Sequence, residues 1–166
     1  MHHLFSLVRR HGGDILASPG MRRERDFVQH GNVSVFRHSL AVAMTCVKLA
    51  RKLHLRVDER ALVRGALLHD YFLYDWHDPD PSHRWHGFHH ASTALRNARR
   101  DFALSPVEEN MIASHMFPMS LPAPRFRESL LLWIADKWCA IGETVANRKK
   151  KPRRKPPSGD AGTPSA

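Results

Sequence analysis

At 166 residues, 42% hydrophobic and 25% charged, the chain is long enough for one domain with a real core, and no membrane-spanning helix is expected because no apolar run reaches about 18 residues. The formal charge of +10 is concentrated: residues 148–155 carry seven basic side chains, Asp160 is the one acid beyond Ala146, and the body before Asn147 keeps 19 basic and 15 acidic residues. The body is therefore only mildly basic, and the unusual count is thirteen histidines, several of them mid-chain where no affinity tag accounts for them.

Met1 to Leu16 reads as a short helix ending near Gly12-Gly13, with Ser18-Pro19-Gly20 as a breaker. His, Arg and Gly stand too early in Met1 to Gly13 for a secretory signal peptide. Met21 to His30 reads as a further short helix stopped by Gly31, and Asn32 to Phe36 as a connector. From His38 to Leu53 the apolar positions Val42, Cys46, Val47, Leu49, Ala50 and Leu53 recur at helical spacing, with His38 in the first turn. Asp58 is an N-cap signal, and a helix is expected from Glu59 to about Asp70.

Tyr71 to Gly87 changes character, being rich in aromatics, Asp, Pro and His, and reads as an ordered loop covering something. Helix returns at about His90 to Arg100. Ser105-Pro106-Val107-Glu108 is a capping box with proline at the first helical position, opening a helix to about His115. Pro118, Pro122 and Pro124 mark a loop, and Arg125 to Val145 reads as a long apolar helix holding Asp136. Beyond it the proline-rich basic segment has the composition of a disordered tail. No strand pattern competes, so the body is expected to be all-α. Cys46 and Cys139 sit in apolar helical patterns and read as free thiols of a reducing, cytoplasmic protein.

The chemistry-bearing residues fall at helix ends or interiors. His38 opens one helix, His69 and Asp70 end the next, His90 opens a third, His115 ends a fourth, and Asp136 lies inside the last. Imidazole and carboxylate together suit Mn, Fe, Co, Ni or Zn. Asp136, among Leu130, Leu131, Leu132, Trp133, Ile134, Ala135, Trp138 and Ile141, needs a cation or several donors if ionised; a salt bridge to Lys137 or to an arginine elsewhere is the plain alternative.

The order His, then an adjacent His-Asp pair, then Asp in a late apolar helix resembles the HD superfamily. The resemblance is carried by His38 in Phe-Arg-His-Ser-Leu, His69-Asp70 in Ala-Leu-Leu-His-Asp, and Asp136 in Ile-Ala-Asp-Lys. It covers about Val33 to Val145, and implies a helical bundle with a central metal site; the domain is placed at residues 33–146, with 1–32 read as a helical N-terminal extension and 147–166 as a disordered basic tail. It implies that His38, His69, Asp70 and Asp136 ligate one divalent ion. In dinuclear members two further histidines occur; His90 in His-Ala-Ser-Thr-Ala-Leu and His115 in Ile-Ala-Ser-His-Met match them, with His89 competing for the first place. One or two ions are thus expected. Met116 after His115, and the lack of a Gly-Tyr-Pro signature, argue against a cyclic-dinucleotide phosphodiesterase.

The implied activity is hydrolysis of a phosphoester of a nucleotide or related small metabolite by a metal-activated water, with Asp70 bridging and orienting. Lys137, Arg37, Arg84, Arg96 and Arg125 are candidates to meet phosphate charge, Asp75 to act as acid or base, and Trp76 and Trp85 to stack on a base, each against a plain surface or packing role. His83, His86 and His89 have helical spacing, but Pro79 and Pro81 oppose a regular helix just upstream. Two other classes remain open: a di-iron oxygenase of the same superfamily, and a regulator that retains metal or nucleotide without turnover. The tail is expected to touch nucleic acid nonspecifically at most, and the oligomeric state is left open.

Overall fold

The computed structural model describes residues 2–30, 32–76 and 86–150, the side chains of His2, His30, His86, Lys149 and Lys150 excepted. Helix α1 (His2–Ala17) does not stop at its glycines. It bends at Gly12, where φ is −127° and ψ 20°, and continues to Ala17. Gly12 is needed for a close approach, because a Cβ there would collide with the Leu67 side chain. Ser18 and Pro19 do break the chain, but they also start α2 (Pro19–Arg23), Ser18 accepting from the Met21 N–H at 3.2 Å.

The segment read as a helix from Met21 to His30 is not one. After Arg23 it unwinds, and Val28–His30 (β1) pairs antiparallel with Val33–Ser34 (β2), so the expectation of no strand and of a bare connector over Asn32 to Phe36 is also corrected. The reason lies in tertiary contacts that propensity does not encode. Phe27 O accepts from Val35 N at 2.9 Å and Glu24 O from Phe36 N at 3.1 Å, so the segment is laid against the start of the next helix.

That helix, α3 (Val35–Lys52), is capped by Ser34 and starts three residues before His38. Asp58 caps α4 (Glu59–Leu68), accepting from Ala61 N at 3.0 Å. Every residue from Ala61 to Asp70 is buried, which makes α4 the central helix, packed by α1, α3, α6 and α7. The fifth helix, α5 (His86–Asp101), begins one turn earlier than expected, so His90 lies in its second turn and does not open it. The capping box starts α6 (Pro106–Ser114) as read: Glu108 N donates to Ser105 Oγ at 3.2 Å and Ser105 N to Glu108 Oε2 at 2.7 Å.

Glu108 serves twice. Its other oxygen accepts from Arg64 Nε at 3.0 Å, and Arg64 Nη1 reaches Asp14 Oδ2 at 2.7 Å, so one buried guanidinium ties α4 to α6 and α1. A little further along, α4 and α6 come so close that a Cβ on Gly65 would stand 2.6 Å from Met111 Sδ and 3.1 Å from Met111 Cβ. The last helix, α7 (Arg127–Lys150), runs four residues past Ala146; the rest of the basic tail lies outside the described residues.

The core joins Val8 and Ile15 of α1 and Met21 of α2 to Val42, Cys46 and Val47 of α3, Leu62 and Leu67 of α4, Met111 and Ile112 of α6, and Leu132 and Ala135 of α7. The described residues thus form an all-helical bundle with one small hairpin. Cys46 is buried, Cys139 half-buried, and both are free. No described helix is long and apolar enough to cross a membrane.

Candidate metal centre

Two histidines reach the centre by one local device. His69 is the C-cap of α4 and His115 the C-cap of α6. Each turns its ring back on its own helix: His69 Nδ1 bonds Ala66 O at 2.9 Å and His115 Nδ1 bonds Ile112 O at 2.8 Å. A carbonyl only accepts, so both Nδ1 atoms carry hydrogen, and each neutral ring is left with its Nε2 lone pair facing inward. The two rings meet edge to face, 5.0 Å between centroids.

His38, in the first turn of α3, and Asp136, inside α7, face each other. His38 Nε2 stands 3.1 Å from Asp136 Oδ1, and its Nδ1 stands 3.0 Å from Glu143 Oε2, so Glu143 fixes the ring from behind. Such an outer carboxylate sets the tautomer and orientation of a ligating imidazole. Glu143 is two turns beyond Asp136 on α7, and that spacing was the one sequence signal for it.

The ligating atoms fall into two buried groups, each within 4.8 Å: His38, His69 and Asp136, and Asp70, His90 and His115. Asp70 faces both. Its Oδ2 is 3.3 Å from His69 Nε2 and 3.9 Å from His38 Nε2; its Oδ1 is 3.4 Å from both His90 Nε2 and His115 Nε2. All six expected residues are therefore together. His90 takes the place for which His89 competed, and His89 is exposed.

The donor set passes a simple fit test for a divalent transition metal. His69 Nε2 and Asp70 Oδ1 are buried without a hydrogen-bond partner among the described residues, and His90 Nε2 points at His115 Nε2 across 2.9 Å. Inward lone pairs and carboxylate oxygens at such separations suit a shared cation, and buried orphans of this kind are otherwise costly.

Without a cation, protons take up the charge. Burial opposes it, but the hydrogen bonds to Asp136 and Glu143 push the His38 imidazole up to about 9. His69 is likewise raised, against burial, chiefly by the Asp70 charge. Burial also opposes the ionisation of Asp70 and Asp136, yet His69 and His38 respectively lead the interactions that hold both carboxyls well below the usual range.

Three residues absent from the expected set complete the surroundings: Glu143, Gln29 and Glu24. Gln29 Nε2 donates to Asp70 Oδ2 at 2.6 Å, from a strand that the sequence reads as helix. Glu24 is fully buried with neither carboxylate oxygen partnered among the described residues; burial, then the nearby Asp70 charge, pushes its carboxyl well up. Nothing in the run Arg22-Arg23-Glu24-Arg25 distinguishes Glu24 from a solvated acid. Asn97 of α5 donates to Tyr71 O at 3.1 Å and Phe72 O at 3.0 Å, fixing the chain that leaves Asp70.

A cavity of about 400 Å³ opens over the centre, lined by Gln29, Asp70, Trp76, His90, His115, Met116, Asp136 and Lys137 among others. Lys137 Nζ, half-exposed at its rim, donates to Asp136 Oδ2 at 2.8 Å and His115 O at 3.1 Å. The salt bridge weighed for Asp136 is thus present, but on one oxygen while the other faces His38. Its apolar surroundings need correction: Ile134, Trp138 and Ile141 are 46%, 74% and 65% exposed on the opposite face of α7, and Asp136 shares its own face with Leu132 and Ala135.

Of the cationic candidates, Arg37, Arg96 and Arg125 are exposed and none lines this cavity; Asp75 does not line it either. Arg84, His77, His83 and Trp85 lie outside the described residues. A cavity of about 520 Å³ beside Ser18, Arg23, Tyr71 and Arg100 is away from the ligand groups.

The family model of the HD domain matches residues 35–141, nearly two thirds of the chain and all six centre-forming residues. Comparison with curated proteins and with solved structures gave no match.

Proposed function

Because the chain belongs to the HD domain family, whose members are mostly metal-dependent hydrolases, we propose that it hydrolyses a phosphoester of a nucleotide or related small metabolite. The observation that carries this reading is Asp70, buried with one oxygen toward each of two ligand groups beneath an open cavity. On this reading His38, His69 and Asp136 would hold one divalent ion, His90 and His115 would hold a second, and Asp70 would be available to either. Such ions supply an acidified water at neutral pH and neutralise phosphate charge.

The protein's own groups do the rest. Ala66 O, Ile112 O and Glu143 keep three imidazoles in the tautomer that offers Nε2 inward. Asp70, deprotonated and aimed at both groups, is placed to orient the attacking water. Lys137 uses two of its three N–H donors on Asp136 and His115 among the described residues, which leaves one for a phosphate oxygen at the rim. Trp76 and Met116 give the cavity an apolar wall suited to a base or similar leaving group.

The test is metal analysis of protein purified without chelator, followed by a phosphoester panel with Mn, Co, Ni and Fe. Phosphate release that depends on metal and on Asp70 is expected. Protein that retains metal, consumes oxygen after anaerobic iron loading and releases no phosphate would instead be a di-iron oxygenase, since the same six donors suit that chemistry. Metal retention without turnover of either kind would leave a regulator.

A further inference from the structure

Helix α7 has two apolar sides. One carries Leu132 and Ala135 into the bundle; the other carries Leu130, Ile134, Trp138, Ile141 and Val145, all exposed. These are five of the eleven large apolar side chains exposed among the described residues, so this exposure is concentrated on one helix and not scattered. Steps of four, four, three and four residues keep them within about a quarter turn of one another, in one continuous stripe. Single exposed apolar residues are ordinary, but a contiguous row of them marks a contact surface.

The stripe has a basic border. Ile134 and Trp138 form one side of a groove of about 290 Å³, and Thr45, Lys48, Leu49 and Lys52 of α3 form the other. Both lysines are exposed, and neither has an acidic partner among the described residues. Arg127 stands one turn before Leu130 and Arg148 one turn after Val145, both exposed. The acids of this stretch, Asp136 and Glu143, are turned to His38. From Arg148 the sequence goes on to place seven basic residues in eight positions.

Charge decides what fits there. Residues 151–166 cannot cover the stripe, because their apolar content is proline and alanine. A second copy is opposed: an antiparallel pair of α7 helices centred on the stripe sets Arg127 of each against Arg148 of the other, with no acid between them. A surface with an apolar interior and negative charge spread over its face satisfies the stripe, the lysines and the basic run together. Apolar insertion and electrostatic attraction are each weak alone, and a stable attachment takes both.

We propose that this face of α7 and α3 is a docking surface for an anionic lipid bilayer, on which the protein lies without crossing it. The stripe enters the boundary between headgroups and acyl chains with Trp138 at its middle, and Lys48 and Lys52 meet lipid phosphates. None of the five stripe residues lines the cavity over the metal centre, so the proposal does not rest on the metal reading.

The full chain is sedimented with vesicles of phosphatidylcholine alone and of equal parts phosphatidylcholine and phosphatidylglycerol, at low and at high salt. Wild type is compared with a Trp138→Ser, Ile141→Ser variant and a Lys48→Gln, Lys52→Gln variant, and the mass of each in solution is measured by light scattering. Expected is a monomer that prefers the anionic vesicles by about tenfold or more and is partly released by salt. Each variant should bind them about tenfold more weakly while melting as wild type does, since the replaced side chains are exposed. Absence of binding to anionic vesicles would overturn the proposal. So would equal binding by the serine variant, which would leave a contact through the basic run alone. A wild-type dimer that the serines split would assign the stripe to a second copy, and a serine variant that melts well below wild type would assign it to the fold.

Discussion

Two pairs of helices build the centre, and they hold their ligands in different ways. At the ends of α4 and α6, His69 and His115 are fixed by carbonyls three residues back in their own helices. Across α3 and α7, His38 is fixed by Glu143, a side chain 105 residues away. The first pair is preorganised by the backbone, so no partner substitution can release it. The second depends on one carboxylate and on the packing that brings α3 and α7 together. The difference teaches where the centre is robust and where it can be tuned.

Removing the residue both pairs share should have the largest effect. Asp70→Ala is expected to abolish metal retention and phosphoester hydrolysis while circular dichroism still reports a folded bundle; full turnover in that variant would remove Asp70 from the reaction.

Attacking the α4–α6 pair requires breaking what joins the helices. Arg64→Leu leaves Glu108 and its carboxylate buried without the guanidinium, and should cost about 3–5 kcal/mol in urea unfolding. A loss below about 1 kcal/mol, the scale of an exposed pair, would show that the guanidinium does not hold these helices.

The α3–α7 pair should respond more selectively. Glu143→Gln is expected to weaken metal binding about 10- to 100-fold with little change in fold, as for other carboxylates behind a ligating histidine. Equal affinity in the variant would mean that His38 needs no such support.

The same contact sets a pH signature in the metal-free chain. The His38 value is raised from 6.5 to about 9 in the folded state, against burial, by Asp136 and Glu143. Its contribution is therefore whole below 6.5 and lost as pH rises through about 9. The metal-free melting temperature should fall across that window, and Glu143→Gln should shallow the fall. Smallest of all, Ser105→Ala removes a cap at the far end of α6 and should cost about 1 kcal/mol without touching metal affinity.

This division also explains what the sequence made legible. Asp58 and the Ser105–Glu108 box act within one helical turn, and the chain order of His38, His69-Asp70 and Asp136 is itself a pattern, so caps, helices and six centre-forming residues were readable. Gln29 bonds Asp70 across 41 residues, and Arg64 bonds Glu108 across 44, distances over which no local periodicity carries information. The misread segment from Met21 to His30 shows the same limit, since its hairpin is held by contacts to the start of α3. Asp136 was found for a partly wrong reason, because apolar neighbours on both faces of α7 were read as one environment.

Gly65 has a reach beyond its own place in the packing. It lies one turn before His69, and Met111, which it faces, lies one turn before His115. The missing methyl there acts as a fulcrum: it lets two backbones converge so that two imidazoles arrive at a common point. Enlarging that position by a single carbon would widen the gap between the two imidazoles from a distance, with both histidines still in the chain.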